Sequence, residues 1–447
     1  MSTCSEQTRQ DLWTSWKAIS GVRSLDFLSE WIKSENDAIH GNLLPSFLSQ
    51  SKYWYYDPEK SEITNKNHSF FTINGLKGNF SDGRSFEQPI ILQNEVGYLG
   101  FIAKKINGVL HLLMQAKIEP GNVNNVQISP TIQATESNFT QKHGGRAPHY
   151  LDYFKDVSKY EVIYDGLQSE QCSRFLEKYN RNVAILVEDE VPVLPHFEWM
   201  TIGQIKQLAD HYDNLVNMDT RTVLSCLPFD DGHPGSSEER SNELLGYLKR
   251  YRARSSFRRD VIPLNQLKDW SIQDSGIYCQ KEYPFDFRYF SIAIAGREVS
   301  QWDQPLAAAR GMATFGLFAL MDVSPRQYLI KIKEEVGCKD IALFGPSVQL
   351  EENENVLHPT NPIDALFMDR SKCEPKILVS TILSEEGGRF YHEQNYNIIL
   401  GITRDHCPKE LPQNYFWADY DTILSLIHRQ VANIQLRDLL SLLEDGK

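Results

Sequence analysis

Residues 86–133 and 302–349 are two copies of one segment. Gln88-Pro89 recurs as Gln304-Pro305, and Pro130-Thr131-Ile132-Gln133 recurs as Pro346-Ser347-Val348-Gln349, both at an offset of 216 with no gap between the anchors. The same offset lays Val216-Asn217-Met218-Asp219-Thr220-Arg221 over Ala432-Asn433-Ile434-Gln435-Leu436-Arg437. Solenoid units repeat every ~20–50 residues, so a period this long describes two duplicated domains in tandem. A chain of 447 residues agrees, because single domains run to about 100–200 residues. The expected layout is an N-terminal repeat over 1–228 holding the active pocket, a linker over 229–245 and a partly degenerate C-terminal repeat over 246–447. The linker is read from Asp230-Asp231-Gly232-His233-Pro234-Gly235, a run of turn formers.

Within each copy the apolar periodicity alternates between sheet and helix. Leu12, Trp16 and Ile19, then Leu25, Leu28 and Trp31, stand three and four apart and predict two short amphipathic helices. Asn107-Gly108 predicts a hairpin between Tyr98–Ile106 and Val109–Lys117, and Ser324-Pro325 predicts a turn at the matching place in copy two. Each copy closes on helical stretches, at 202–209 and 216–227 and again at 423–427 and 431–443. Helices over an antiparallel or mixed sheet make the fold class α+β. Tyr53-Trp54-Tyr55-Tyr56 reads as core or domain-interface packing, with a base-stacking platform as the alternative.

The formal net charge of −13 excludes a nucleic-acid binder, since phosphate contacts need clustered cations. A local cationic pocket for a small anionic ligand stays open. Seven dispersed cysteines with no CxxC pair exclude a disulfide framework and a zinc ribbon. The first thirty residues lack the apolar core of a signal peptide, and no stretch reaches membrane-spanning length. The expectation is a cytoplasmic protein with no membrane partner.

Duplicated domains share packing residues, so positions polar in one copy and bland in the other point to function. Copy one concentrates amides, hydroxyls and charge at Gln115, Lys117, Glu119 and Asn122, and again at Gln133, Thr135, Glu136, Ser137 and Asn138. Gln168 before Arg174, and Asn217-Met218-Asp219-Thr220-Arg221, extend the set. Such groups beside Lys117, Arg174 and Arg221 suit a polyhydroxylated, anionic ligand. Alternatively they cap helices and satisfy turns. Arg174 and Arg221 persist in copy two as Arg389 and Arg437, which fits either a shared ligand site or a shared structural ion pair.

The stretches LLMQAKIEPGN (112–122), SPTIQATESNF (129–139), LQSEQCSRF (167–175), KYNRN (178–182) and VNMDTRTVLSCLP (216–228) resemble those of the NDP-hexose 2,3-dehydratases. The resemblance covers nearly the whole chain, duplication included. It implies two Nudix-like domains, each with a nucleotide-sugar pocket of which one is catalytic, in a homodimer. Copy two departs from the family pattern in its QAKxEPG-like strand, which here reads IKIKEEVG. The implied reaction is dehydration of a nucleotide-linked 4-keto-6-deoxyhexose. A base removes the proton on carbon 3, the 2-hydroxyl leaves, and a 3,4-diketo-2,6-dideoxy sugar results. Loss of water needs no redox cofactor, and no metal is expected. The resemblance makes Glu119, Glu136 and His143 the leading acid and base candidates, with His111 and Tyr150 behind them. Lys117 would hold the enolate or the diphosphate, and Arg174 and Arg221 the diphosphate.

Two rivals belong to other classes. Lys333-Glu334-Glu335-Val336-Gly337 is similar to the tail of the box with which Nudix hydrolases bind magnesium, but the preceding Arg-Glu is missing and the repeat register places it at a strand end. A non-catalytic dTDP-sugar binding protein is the other.

Overall fold

The computed structural model describes residues 4–39, 41–135, 147–230, 232, 237–294, 300–351 and 361–444. The two N-terminal helices form at Glu6–Lys17 and Leu25–Ala38, each capped by a serine, Ser5 or Ser24, whose side chain accepts from the third residue on. At the Asn107-Gly108 turn both residues have positive φ, 51° and 83°, as a type I′ hairpin requires. The segment expected as a linker is already helical from Ser237, in Ser237–Arg254.

The fold is mixed α+β, with its strands in four sheets. One seven-stranded sheet runs Glu161–Ser169, Tyr179–Leu186, Tyr98–Ile106, Val109–Ile118, Phe197–Met200. A second runs Lys376–Ser384, Gln394–Ile402, Ala313–Leu320, Gln327–Glu334, Ala342–Pro346. Each has one parallel pairing amid antiparallel ones, Tyr98–Ile106 with Tyr179–Leu186 and Ala313–Leu320 with Gln394–Ile402.

The expectation of two tandem Nudix-like domains is not met. The remaining strands make two further, distinct sheets, and both are built across the halves. Gly41–Pro45 pairs with Phe285–Ile294, and Arg258–Ile262 pairs with Thr72–Asn79. An unpaired strand edge is a row of unsatisfied donors and acceptors. Here each half covers such an edge with a strand of the other. The cores mix in the same way: one cluster joins Trp54, Ile73 and Phe175 to Trp270, Phe285 and Phe390, with Tyr53 and Tyr56 packed against it, while Tyr53 and Trp54 also line a cavity.

Helices Met218–Leu224 and Ile434–Ser441 pack together with every residue of both buried. Asn217 and Asn433 cap them, accepting from Thr220 N at 2.9 Å and Leu436 N at 3.0 Å. Arg221 Nη1 donates to Val216 O (2.7 Å) and Nη2 to Ser384 O (3.1 Å) and Asp438 Oδ2 (3.2 Å). Arg437 repeats the pattern with Ala432 O (2.8 Å), Ser169 O (2.5 Å) and Thr222 Oγ1 (3.0 Å). Each arginine thus ties its own helix to the opposite half.

A reciprocal clasp completes the join. Gly121 N donates to Gly387 O and His392 N to Gly121 O, both at 2.8 Å, while Gly337 N donates to Cys172 O (2.8 Å) and Glu177 N to Gly337 O (2.7 Å). A Cβ at Gly121 would overlap the Phe390 carbonyl, and one at Gly337 would overlap the Phe175 carbonyl. Glycine is required at both crossings because backbone meets backbone there.

Candidate active site

Along Val109–Ile118 the side chains alternate. Leu112, Met114 and Ala116 enter the largest core, while Gln115 and Lys117 turn to the opposite face. Lys117 thereby reaches a cavity of about 920 Å³ that lies between the halves. Its Nζ donates to Gln133 O at 2.9 Å and stands 3.8 Å from Glu119 Oε1. Gln133 Nε2 donates to Glu119 Oε1 at 3.1 Å, and its Oε1 accepts from Asn217 Nδ2 at 3.1 Å. The cap of the Met218–Leu224 helix therefore also orients the amide that orients Glu119. Thr135 and Asp219 line the same cavity.

The rest of the wall draws on both copies. Glu170, Lys178 and Asn180 come from the turn and strand after Glu161–Ser169, and Trp302, Gln304, Glu386 and Arg389 come from the second half. Lys178 Nζ donates to the Glu95 carbonyl, and Asn180 Nδ2 donates to Glu170 Oε1 at 2.7 Å. Arg389 Nε donates to Gln93 Oε1 at 3.1 Å, with its guanidinium 4.7 Å over the Phe71 ring. Arg389 is the copy-two partner of Arg174 noted above, at a separation of 215, but nothing in the sequence places it in the first half's cavity. Glu386 had a weaker signal, the acidic pair before Gly387-Gly388.

Burial and crowding set the electrostatics. Burial, then the nearby Glu119, push Glu386 up to about 7 against the opposing charge of Arg389. Asp219 is raised well above the carboxylate range by burial and by Glu386, Glu170 and Glu119, with Lys117 opposing. Burial raises Glu170 and lowers Lys178, and each charge partly offsets the other's shift. A buried cavity holding carboxyl groups pushed toward neutrality beside fixed cations has the components of acid–base catalysis.

Several expected residues lie elsewhere. Arg174 is buried away from the cavity, 3.3 Å from Glu393 Oε1, 3.6 Å from Glu351 Oε1 and 4.0 Å over the Phe285 ring. Arg221 is held in the inter-half contacts described above. Gln168 bridges Tyr164 OH (2.7 Å) and Ile427 O (2.8 Å), Thr220 Oγ1 donates to Ile128 O (3.1 Å), and Asn122 Nδ2 donates to Asn125 O (2.8 Å). Gln115 is half-buried on its strand and is not part of the cavity wall. His111 accepts from Val22 N and contacts Val109 O, and Tyr150 OH donates to Pro192 O. Both are structural. Glu136, Ser137, Asn138 and His143 lie outside the described residues.

Copy two keeps part of the network: Gln349 Nε2 donates to Glu335 Oε1 (3.3 Å) and Asn433 Nδ2 to Gln349 Oε1 (3.0 Å). Its remaining positions differ, with Gln435 for Asp219 and Glu393 for Lys178. The pair Glu334-Glu335 does not converge as a magnesium site would require. Glu334 is bonded by Ser81 and Ser255, and Glu335 by Gln349 and Asn433. Among the described residues one group of metal-capable side chains gathers within 4.8 Å, Asp210, His211 and Glu444, and none of these lines the cavity.

The profile of the NDP-hexose 2,3-dehydratase family matches residues 26–227 and again 241–443. The chain is 36% identical to a dTDP-4-dehydro-6-deoxy-alpha-D-glucopyranose 2,3-dehydratase of Saccharopolyspora spinosa, over 98% of this chain and 95% of that one. Enzymes with the same name from Streptomyces violaceoruber (36% identity, 87% of this chain, 89% of the relative) and Amycolatopsis orientalis (34%, 92% and 88%) are similarly close. The chain belongs to the NDP-hexose 2,3-dehydratase family. It is a lyase that removes water across carbons 2 and 3 of a nucleotide-linked hexose.

Proposed function

We propose that the cavity between the halves is the active site and that its substrate is a dTDP-linked 4-keto-6-deoxyhexose, as the names of the three relatives suggest. The observation that carries this reading is the convergence of Lys117, Glu119, Gln133, Thr135 and Asp219 on one cavity that also holds Lys178 and Arg389. Its volume of about 920 Å³ lies at the upper end of the ~300–1,000 Å³ typical of small-molecule sites, as a sugar with a nucleoside diphosphate demands.

The 4-ketone acidifies the proton on carbon 3. Glu119, held by Gln133, takes that proton, and the Lys117 ammonium stabilises the enolate oxygen. Arg389 and Lys178 bind the diphosphate. The carbon 2–oxygen bond then breaks, and the enol relaxes to the 3,4-diketone. Arg174 and Arg221, buried in ion pairs, hold the two halves together. The net change is loss of water, so the reaction draws on no redox cofactor. The enzyme works in the cytoplasm as a homodimer. No helix among the described residues is long and apolar enough to cross a membrane.

The test is incubation with dTDP-4-keto-6-deoxyglucose in the presence of a chelator, with a ketoreductase and NADPH to trap the labile diketone. Trapped 2-deoxysugar, lighter by one water before reduction, is the expected product. Unchanged substrate, or dTDP released without trapped sugar, would overturn the reading in favour of a binding protein or a hydrolase.

A further inference from the structure

The two halves do not contribute alike to the cavity. Under the repeat register Glu386 corresponds to Gln171, Asp219 to Gln435 and Lys178 to Glu393. At this position the first half's site therefore receives a carboxyl group from the opposite half, whereas the reciprocal position supplies an amide. An amide cannot deliver a proton to a leaving oxygen, and a carboxylic acid can.

Glu386 is placed for that task by backbone. Arg389 N and Phe390 N both donate to Glu386 O, which folds 386–390 into a tight turn, and the Gly387–Gly121 clasp pins this turn beside Glu119. There is no room to spare at the clasp, since a Cβ at Gly387 would meet Asn122 N at 2.8 Å. At Gly388 a Cβ would press on Glu386 Oε1 and stand 3.4 Å from Glu119 Oε1, so the two carboxyl groups converge on one spot. Glu119 is already bonded by Gln133 and paired with Lys117. Among the described residues no side-chain hydrogen bond or ion pair engages the Glu386 carboxyl. It is half-buried, with its open side toward the cavity.

We propose that Glu386 is the acid that protonates the departing 2-hydroxyl, a catalytic group supplied by the second half to a site otherwise built on the first. The inference rests on the dehydratase reading above. Glu119 takes the carbon 3 proton, and the bonding pair moves into the carbon 4 carbonyl as an enolate. The pair then returns to form the carbon 2–carbon 3 double bond, the carbon 2–oxygen bond breaks, and Glu386 gives its proton to the departing oxygen, which leaves as water. The resulting enol takes a proton at carbon 2 from Glu119 and releases its hydroxyl proton to Glu386, which restores both groups. Asp219, Glu170, Lys117, Lys178 and Arg389 face the same cavity. Burial and the Glu119 charge keep a proton on Glu386 up to about pH 7, so both forms are accessible at neutrality.

The two half-reactions separate in deuterium oxide. Full-length Glu386→Gln and Glu119→Gln are incubated with dTDP-4-keto-6-deoxyglucose. Carbon 3 deuteration of recovered substrate and trapped 2-deoxysugar are both followed by mass spectrometry. The expected result is that Glu386→Gln loses dehydration by about 10²-fold or more while still exchanging the carbon 3 proton, and that Glu119→Gln loses both. Dehydration by Glu386→Gln within tenfold of wild type, or loss of exchange together with dehydration, would overturn the proposal. If Glu386→Gln is poorly folded by circular dichroism, Glu386→Ala with added formate serves instead. Recovered dehydration supports the assignment, and failure to recover it counts against it. A wild-type protein that forms no 2-deoxysugar would refute the dehydratase reading itself, whatever the variants do.

Discussion

Replacing Gly121 by alanine should cost far more activity than its small size suggests. The added methyl overlaps the Phe390 carbonyl oxygen and would stand 2.7 Å from Phe390 C and 2.8 Å from Gly387 O, where ordinary contacts begin at 3.4 Å. All three atoms are backbone, so no side chain can swing aside. Relief requires the 386–392 turn to withdraw by more than about 1 Å, which breaks or stretches the Gly121 N to Gly387 O and His392 N to Gly121 O bonds. Each such bond contributes about 0.5–1.5 kcal/mol net. With steric strain of about 1–3 kcal/mol for an overpacked contact, the loss of stability from the two bonds and the strain comes to roughly 2–6 kcal/mol. The same turn carries Glu386 and Arg389, and a misplacement of about 1 Å can cost on the order of 10²-fold in rate. The control is Gly108→Ala at the hairpin tip, where a Cβ meets nothing within 4 Å and only the positive φ of 83° is strained. It should lose about 1–2 kcal/mol and keep wild-type kcat. Urea melts and the trapped-product assay on both variants decide the matter. Gly121→Ala with stability and kcat within the range of Gly108→Ala would show that the clasp does not position the site.

Three further outcomes follow from the same geometry. Lys117→Met should abolish carbon 3 exchange and dehydration together by about 10²–10³-fold, as loss of an enolate donor does; retained exchange in deuterium oxide would remove Lys117 from that role. Arg174→Ala should destabilise the protein by about 3–5 kcal/mol, because it leaves Glu393 buried without its partner, whereas Arg389→Ala should chiefly raise KM; thermal melts and steady-state kinetics would show the reverse if Arg174 were the substrate arginine. With the acid group's pKa raised to about 7, the working form is the protonated one, so kcat should fall as pH rises through about 7. Arg389 opposes that upward shift, so Arg389→Ala should move the limb to higher pH; a limb that moves lower contradicts the assignment.

The offset of 216 pairs Gln133 with Gln349 and Asn217 with Asn433, but that these residues and the neighbouring glutamates bond to one another is visible only in the structure. Strand periodicity along 109–118 puts Lys117 on the face opposite Leu112 and Met114, as the structure has it. What the sequence hid was contact between the copies. A search for groups present in copy one and lost from copy two passes over Glu386 and Arg389, because they belong to copy two and act in the other half's cavity. Arg174 and Arg221 look like phosphate ligands by residue type, yet burial with Glu393 and Asp438 commits their charge to packing. The Nudix-like layout failed for a related reason: periodicity reports which segments are strands and is silent on which edge each will join.

The exchanged strands also bear on synthesis. Gly41–Pro45 emerges from the ribosome long before its partner Phe285–Ile294, and at about 5–20 residues per second a separation of roughly 240 residues is a wait of about 12–50 s. During that interval the nascent first half lacks both the partner of that strand and the Arg258–Ile262 strand that borders Thr72–Asn79. A chaperone that shields open sheet edges would act in that window, and slowing elongation upstream of residue 258 would prolong it.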